Sequence, residues 1–291
     1  MGDRIKILIL GPGGSRGFLQ IGALACLDTV GLLTDVERVI GVSIGSIIGL
    51  LWLAGYDAFR IALECLDFSL LNSDRSLFDS WVELAKITER WGAFSNTKIK
   101  ERLEGLLQAK FGFVPTFRQF KLLTGRDFVC VTVNCTKRLT VYVDAESFPD
   151  LSVVQGTLMS SMVPGVLERV VVNGDLYIDG ALRDPYPINR YDNGKTPILG
   201  LYISNEPSYE ELLNDRGLAG MVRFTLQAYS STMDELYQRS VKTCSKCCHH
   251  LVLTAPTWDT TGITVSIPMR VAMLASGYLT AMKFVEKNQF I

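Results

Sequence analysis

Two apolar runs near the start of the chain, Ile5 to Leu10 and Val36 to Val42, each stop at glycines, and each is followed by a segment with helical spacing. A continuous run of this kind reads as a strand buried on both faces, the habit of parallel sheets. The helix after the first run is expected over Phe18 to Val30, where Ile21, Leu24, Ala25 and Leu27 recur on one side and Gly31 is placed to end it. The helix after the second is expected over Ile44 to Ala54. Strand, helix, strand, helix within 55 residues points to an α/β class, with a central, mostly parallel sheet and helices on both faces.

The remainder extends that pattern. Asp57 to Gln119 reads as mainly helical and able to lie over a functional site, with Ser95, Asn96 or Thr97 able to cap a helix through Lys100, Leu103, Leu106 and Leu107. Phe128 to Val133 and Leu139 to Val143 read as neighbouring strands, and Leu151 to Ser161 as a helix. Val170 to Val172 and Leu176 to Ile178 flank Asn173-Gly174, a hairpin turn pair. Pro197 to Ile203 reads as a further strand, and residues 206–291 as mainly helical, including an apolar segment from Met269 to Phe284. No repeat or long linker divides the 291 residues, so a single domain is expected, with its core over about residues 5–205.

A chain that is 48% hydrophobic and 20% charged can fill a large core, and a net charge of −1 gives no basic face for nucleic acid. Seven cysteines, an odd number spread along the chain, read as reduced thiols. The opening residues lack the apolar core and cleavage site of a signal peptide, so an intracellular protein is expected. The uncharged stretch from Val39 to Tyr56 is read as strand, turn and core helix in preference to a membrane span.

Three short stretches carry the chemistry. Gly41-Val42-Ser43-Ile44-Gly45 puts a serine between glycines where a strand gives way to a helix, the setting of a nucleophile elbow. Gly11-Pro12-Gly13-Gly14-Ser15-Arg16-Gly17 follows the other strand, so in a parallel sheet both loops emerge on one edge. Gly13 and Gly14 can present bare N–H groups to an oxyanion, and Arg16 can add positive charge or hold the loop. As a dinucleotide loop this segment fails, because Arg16 stands at the third glycine. Asp179, at the end of a short apolar run and followed by Gly180-Ala181, is the best carboxylate base, although a turn aspartate capping the next segment would look the same.

These residues resemble the patatin-like phospholipases, a family with a Gly-rich oxyanion loop, a GxSxG serine and an Asp-Gly-Gly or Asp-Gly-Ala base motif. Gly13 to Gly17, Gly41 to Gly45 and Asp179-Gly180-Ala181 match in order and spacing, and Met159-Ser160-Ser161-Met162-Val163-Pro164 echoes a fourth block. Gly11 and Pro12 depart from the loop pattern, and Pro12 removes one N–H. The resemblance implies a Ser43–Asp179 dyad, an oxyanion hole from Gly13, Gly14 and Ser15, loop support from Arg16 and Gly17, and no metal or other cofactor. It also implies a phospholipid or other acyl-lipid substrate with peripheral membrane contact. Two other readings remain: a Ser-Asp-His triad using His249 or His250, the only histidines, and a lipid-binding protein without turnover. The Cys244 to His250 cluster lacks a second Cys-x-x-Cys pair and is read as a peripheral helix or loop with incidental thiols.

Overall fold

A computed structural model describes residues 4–67, 89–204, 217–254 and 265–290. An eight-stranded sheet runs through it. Its strands are β1 (Ile7–Leu10), β2 (Arg38–Val42), β4 (Asp127–Asn134), β5 (Leu139–Val143), β7 (Val170–Val172), β8 (Asp175–Asp179), β9 (Ile198–Ser204) and β10 (Cys248–Thr254). The order is β10-β9-β1-β2-β4-β8-β7, with β5 also paired to β4. From β10 to β4 every pairing is parallel, and the pairings among β4, β5, β8 and β7 are antiparallel. The sheet is thus mixed and mostly parallel, as the strand and helix alternation predicts.

Period-two alternation sends side chains to both faces, and both are covered. Leu8, Leu10, Val39, Cys130, Leu199 and Leu251 join a core with helices α1 (Gly17–Thr29), α2 (Ile44–Leu53), α4 (Thr97–Phe111), α6 (Val153–Ser160) and α9 (Ile267–Lys287). Ile7, Ile9, Ile40, Val42, Val129 and Val131 join a smaller core with Tyr186, Ile188 and Tyr237, the last from the long helix α8 (Gly217–Thr243). Three layers result, with more helices on one face than on the other.

Several expectations shift. Between Asp57 and Gln119 the chain forms α3 (Ala58–Asp67), α4 and α5 (Phe117–Thr124), but also the short strand β3 (Gly92–Phe94), which pairs with β6 (Gly165–Leu167) in a separate two-stranded sheet. The middle of that stretch, 68–88, lies outside the described residues. The thiol and histidine cluster is a loop only in its first half: Cys248 begins β10, whose Leu251 and Leu253 are buried. The burial of alternate residues from Leu251 shows why: Leu-Val-Leu-Thr is a strand pattern that the preceding cysteines and histidines mask. The Asn173-Gly174 turn is a hairpin turn with both residues at positive φ (52° and 81°). Val39 to Tyr56 divides between β2 and α2, and among the described residues no helix is long and apolar enough to cross a membrane.

One register relation positions everything that follows. Thr132, Val133 and Asn134 of β4 each pair with both β5 and β8, so these two strands take opposite edges of β4. β2 and β5 overlap at Cys130 and Val131, so they too are on opposite edges. β2 and β8 therefore share one edge, and because one is parallel and the other antiparallel to β4, their C-terminal ends meet. Val42 ends opposite Val131, and Asp179 ends opposite Thr132.

Candidate active site

Ser43 follows Val42 directly and turns the chain away from the sheet with φ 56° and ψ −127°, a strained conformation for a residue with a Cβ. The glycines on either side are a steric necessity. A Cβ on Gly41 would lie 2.3 Å from Ser46 Cα, and one on Gly45 would lie 2.1 Å from the Leu10 carbonyl oxygen, so β1, β2 and α2 close up only around bare backbone. The strain is offset by satisfying both backbone groups of Ser43. Its N–H donates to Ser160 Oγ at 3.1 Å, and its carbonyl accepts from Ser46 Oγ at 2.6 Å and Ser161 Oγ at 3.1 Å.

Asp179 is 3% exposed, and the Ser43 side chain is among the groups that favour its ionised carboxylate. Oδ1 accepts the Ala181 N–H at 2.8 Å, capping a 3-10 turn over Gly180–Leu182. The turn-cap meaning of an Asp-Gly-Ala end is thus realised here, in a carboxylate that also lies beside Ser43. Burial raises the Asp179 pKa to about 6, and the Ser43 side chain and the Ala181 N–H limit the rise. Beneath it, the Thr132 hydroxyl lies 2.9 Å from the Met159 carbonyl oxygen and 2.8 Å from that of Ile178, linking α6 to β8. The Asp179 N–H donates to the Met162 carbonyl at 2.7 Å.

The glycine loop lies at the end of β1, beside β2. Gly11 belongs to the sheet: its N–H donates to the Leu201 carbonyl at 3.0 Å, and its carbonyl accepts from Gln20 Nε2 at 2.7 Å. Gly14–Arg16 then forms a 3-10 turn. The N–H groups of Gly13, Gly14 and Ser15 lead this turn, and the first donors of a helical turn have no carbonyl within it to bond. Arg16 is 8% exposed, with its N–H and Nε 3.1 and 3.3 Å from the Gly13 carbonyl oxygen, so its geometry is that of a loop brace. Gly17 packs against Ile44, which leads α2 directly after the serine.

The histidines are not brought to Ser43. β10 is separated from β2 by β9 and β1, about 14 Å at the usual spacing of about 4.8 Å. His250 is level with Ile40 through Gly200 and Ile9. Both its ring nitrogens are engaged: Nδ1 is 2.9 Å from Tyr186 Oη, and Nε2 is 3.2 Å from Cys244 Sγ. Burial, with the His249 charge, holds its pKa below the usual value. His249 packs edge-on against Phe290 and, one residue along the strand, points to the other sheet face.

The sequence singles out Ser43, Asp179 and the loop but assigns no role to Ser46, Ser160 and Ser161, which hydrogen-bond to the Ser43 backbone, or to Thr132 beneath Asp179. The block from Met159 to Pro164 is a signal for two of these; Thr132 has none, since an isolated threonine in an apolar strand looks like ordinary β propensity.

A family model described as patatin-like phospholipase matches residues 8–190. Among curated proteins, the chain is 26% identical to the uncharacterized protein R571 of Acanthamoeba polyphaga mimivirus, over 70% of this chain and 67% of that protein. It is 29% identical to the probable lipid hydrolase 463L of Invertebrate iridescent virus 6, over 65% of each. It is 26% identical to the lysophospholipase NTE1 of Kluyveromyces lactis, over 62% of this chain but only 11% of that protein. Among solved structures, VipD from Legionella pneumophila superposes with a TM-score of 0.59 at 14% identity, covering 99% of this chain and 68% of that one. The type III effector ExoU gives 0.56 at 16% identity, covering 99% and 54%. At those identities the likeness is one of fold.

Proposed function

Because the chain belongs to the patatin-like phospholipase family, we propose that it is a lipid acyl hydrolase whose nucleophile is Ser43 and whose base is Asp179. The observation that carries this reading is the register that brings the ends of β2 and β8 together, so that Ser43, directly after β2, lies beside the buried Asp179 carboxylate. A carboxylate with a pKa near 6 is ionised at neutral pH yet basic enough to accept a seryl proton during attack.

In the proposed cycle Asp179 takes the proton as Ser43 Oγ attacks the ester carbonyl carbon, and the carbonyl oxygen becomes an oxyanion. The N–H groups of Gly13, Gly14 and Ser15 stabilise that charge, aided by the N-terminus of α2. On collapse the ester C–O bond breaks, Asp179 returns the proton to the leaving alkoxide, and an acyl-serine remains. Water, deprotonated by Asp179, then releases the fatty acid and restores Ser43. The name of the iridescent virus relative supports a lipid substrate, and phospholipids are the class the family points to. We propose that contact with the lipid surface is peripheral.

Turnover of mixed phospholipid substrates and labelling by a fluorophosphonate test the reading directly. Wild type is expected to label and hydrolyse, and Ser43→Ala to do neither. Labelling that survives Ser43→Ala rejects Ser43, whereas lipid binding by a folded wild type without labelling or turnover supports a binding protein instead.

A further inference from the structure

The turn between α8 and β10 carries Cys244 and Cys247, Cys248 opens β10, and by themselves these thiols are a poor ligand set. The fold adds a donor from 53 residues before Ser245. Asp192, at the C-cap of α7 (Ile188–Tyr191), lays its carboxylate against this turn. Its Oδ2 accepts the Ser245 N–H at 2.5 Å, and its Oδ1 lies 2.6 Å from Ser245 Oγ and 3.7 Å from Cys247 Sγ. Ligand atoms of Asp192, Cys247 and Cys248 all lie within 4.8 Å of one another. Cys244 lies outside this group, and its Sγ stands 3.2 Å from His250 Nε2.

Ligand bonds of about 2.3 Å for sulfur and 2.0 Å for oxygen place neighbouring donors of a tetrahedral zinc ion roughly 3.5 to 3.8 Å apart. The separation of Cys247 Sγ and Asp192 Oδ1 already falls there. We propose that Asp192, Cys247 and Cys248 form a three-donor site for zinc, its fourth position taken by water, pinning the edge strand β10 to the connection between α7 and β9. Each thiol releases its proton to water as its sulfur binds, and sulfur donors select a borderline-soft ion over magnesium or calcium. Cys244 and His250 stand beside the site and are not its ligands: His250 Nε2 is 3.2 Å from Cys244 Sγ, and its Nδ1 is 2.9 Å from Tyr186 Oη. His249, on the opposite face of β10, takes no part. The site lies at the far edge of the sheet from β4, so it does not depend on the role of Ser43 or Asp179.

Chelator-treated, reduced protein titrated with Co2+ and then Zn2+ tests the site. Saturation at one equivalent is expected, with a thiolate-to-cobalt charge-transfer band and tetrahedral d–d bands that zinc abolishes. Asp192→Asn, Cys247→Ser and Cys248→Ser should each weaken zinc binding by about tenfold or more, whereas Cys135→Ser, outside the cluster, should not. X-ray absorption of the wild-type zinc complex needs no variant to fold and should count at least two sulfur ligands. A shell without sulfur, no saturable uptake by folded wild type, unchanged affinity in all three cluster variants, or equal uptake by the urea-unfolded chain overturns the proposal.

Discussion

Ser43 and Asp179 reach each other along one edge of β4, because Val42 ends opposite Val131 and Asp179 ends opposite the next residue, Thr132. Two strand ends that meet head-on leave a serine and a carboxylate side by side with no histidine between them, and that proximity follows from the register.

The first prediction concerns pH. If Asp179 must be ionised to accept the Ser43 proton, kcat/KM should fall tenfold per pH step below the Asp179 pKa of about 6 and be flat above it. A kcat/KM profile with a soluble ester checks this, and a midpoint near the usual carboxylate value of 3.8 would deny Asp179 its buried state.

Stability should move in the opposite sense. The folded-state pKa of Asp179 lies above its usual 3.8, so its contribution is full below about pH 4 and is lost as pH rises through about 6. The difference corresponds to on the order of 3 kcal/mol. Asp179→Asn, which has no such ionisation, should therefore be catalytically dead yet more stable than wild type at pH 8, by roughly 1 to 3 kcal/mol, with the gap closing near pH 4. Urea unfolding at both pH values measures it.

Ser160 should matter through Ser43. Ser160→Ala leaves the strained Ser43 N–H without the acceptor it has at 3.1 Å, at a cost of about 1 to 3 kcal/mol. Misplacement of the nucleophile should lower kcat by roughly ten- to a hundredfold with KM little changed. Ser160→Thr, which keeps the hydroxyl, should recover part of kcat, an outcome that a simple packing defect would not produce.

The glycines should divide into two classes. Gly45→Ala drives a Cβ to 2.1 Å from a backbone oxygen, so loss of the folded protein is expected, by about 4 kcal/mol or more. Gly13→Ala meets the Ile203 Cδ1 methyl at 2.4 Å, the movable tip of a side chain, so the fold should survive while turnover falls. Thermal unfolding and ester turnover of the two variants separate these effects.

The double variant His249→Ala/His250→Ala should keep turnover wherever it folds, since His250 is turned to Tyr186 and Cys244, three strands from β2. Loss of turnover in a folded double variant would restore a histidine to the mechanism.

Much of this molecule can be read from local sequence. Apolar runs, helical spacing and the Asn-Gly turn act over a few residues, so β1, α1, β2, α2 and the β7–β8 hairpin are legible, and the glycines around Ser43 announce a tight strand-to-helix turn. What lies far apart along the chain is not legible in this way. β10 is hidden by its cysteines and histidines, and β3 forms only because β6 is there to pair with it. Asp192 joins Cys247 and Cys248 only after the sheet brings β9 and β10 together. Asp179 by itself is only an aspartate at a turn. Sequence determined the parts, a serine elbow, a glycine loop and a carboxylate at a strand end, because each is a local backbone requirement. The tertiary structure alone decided that they meet, because the edge of β4 that aligns β2 with β8 is set by side chains packing across the whole sheet.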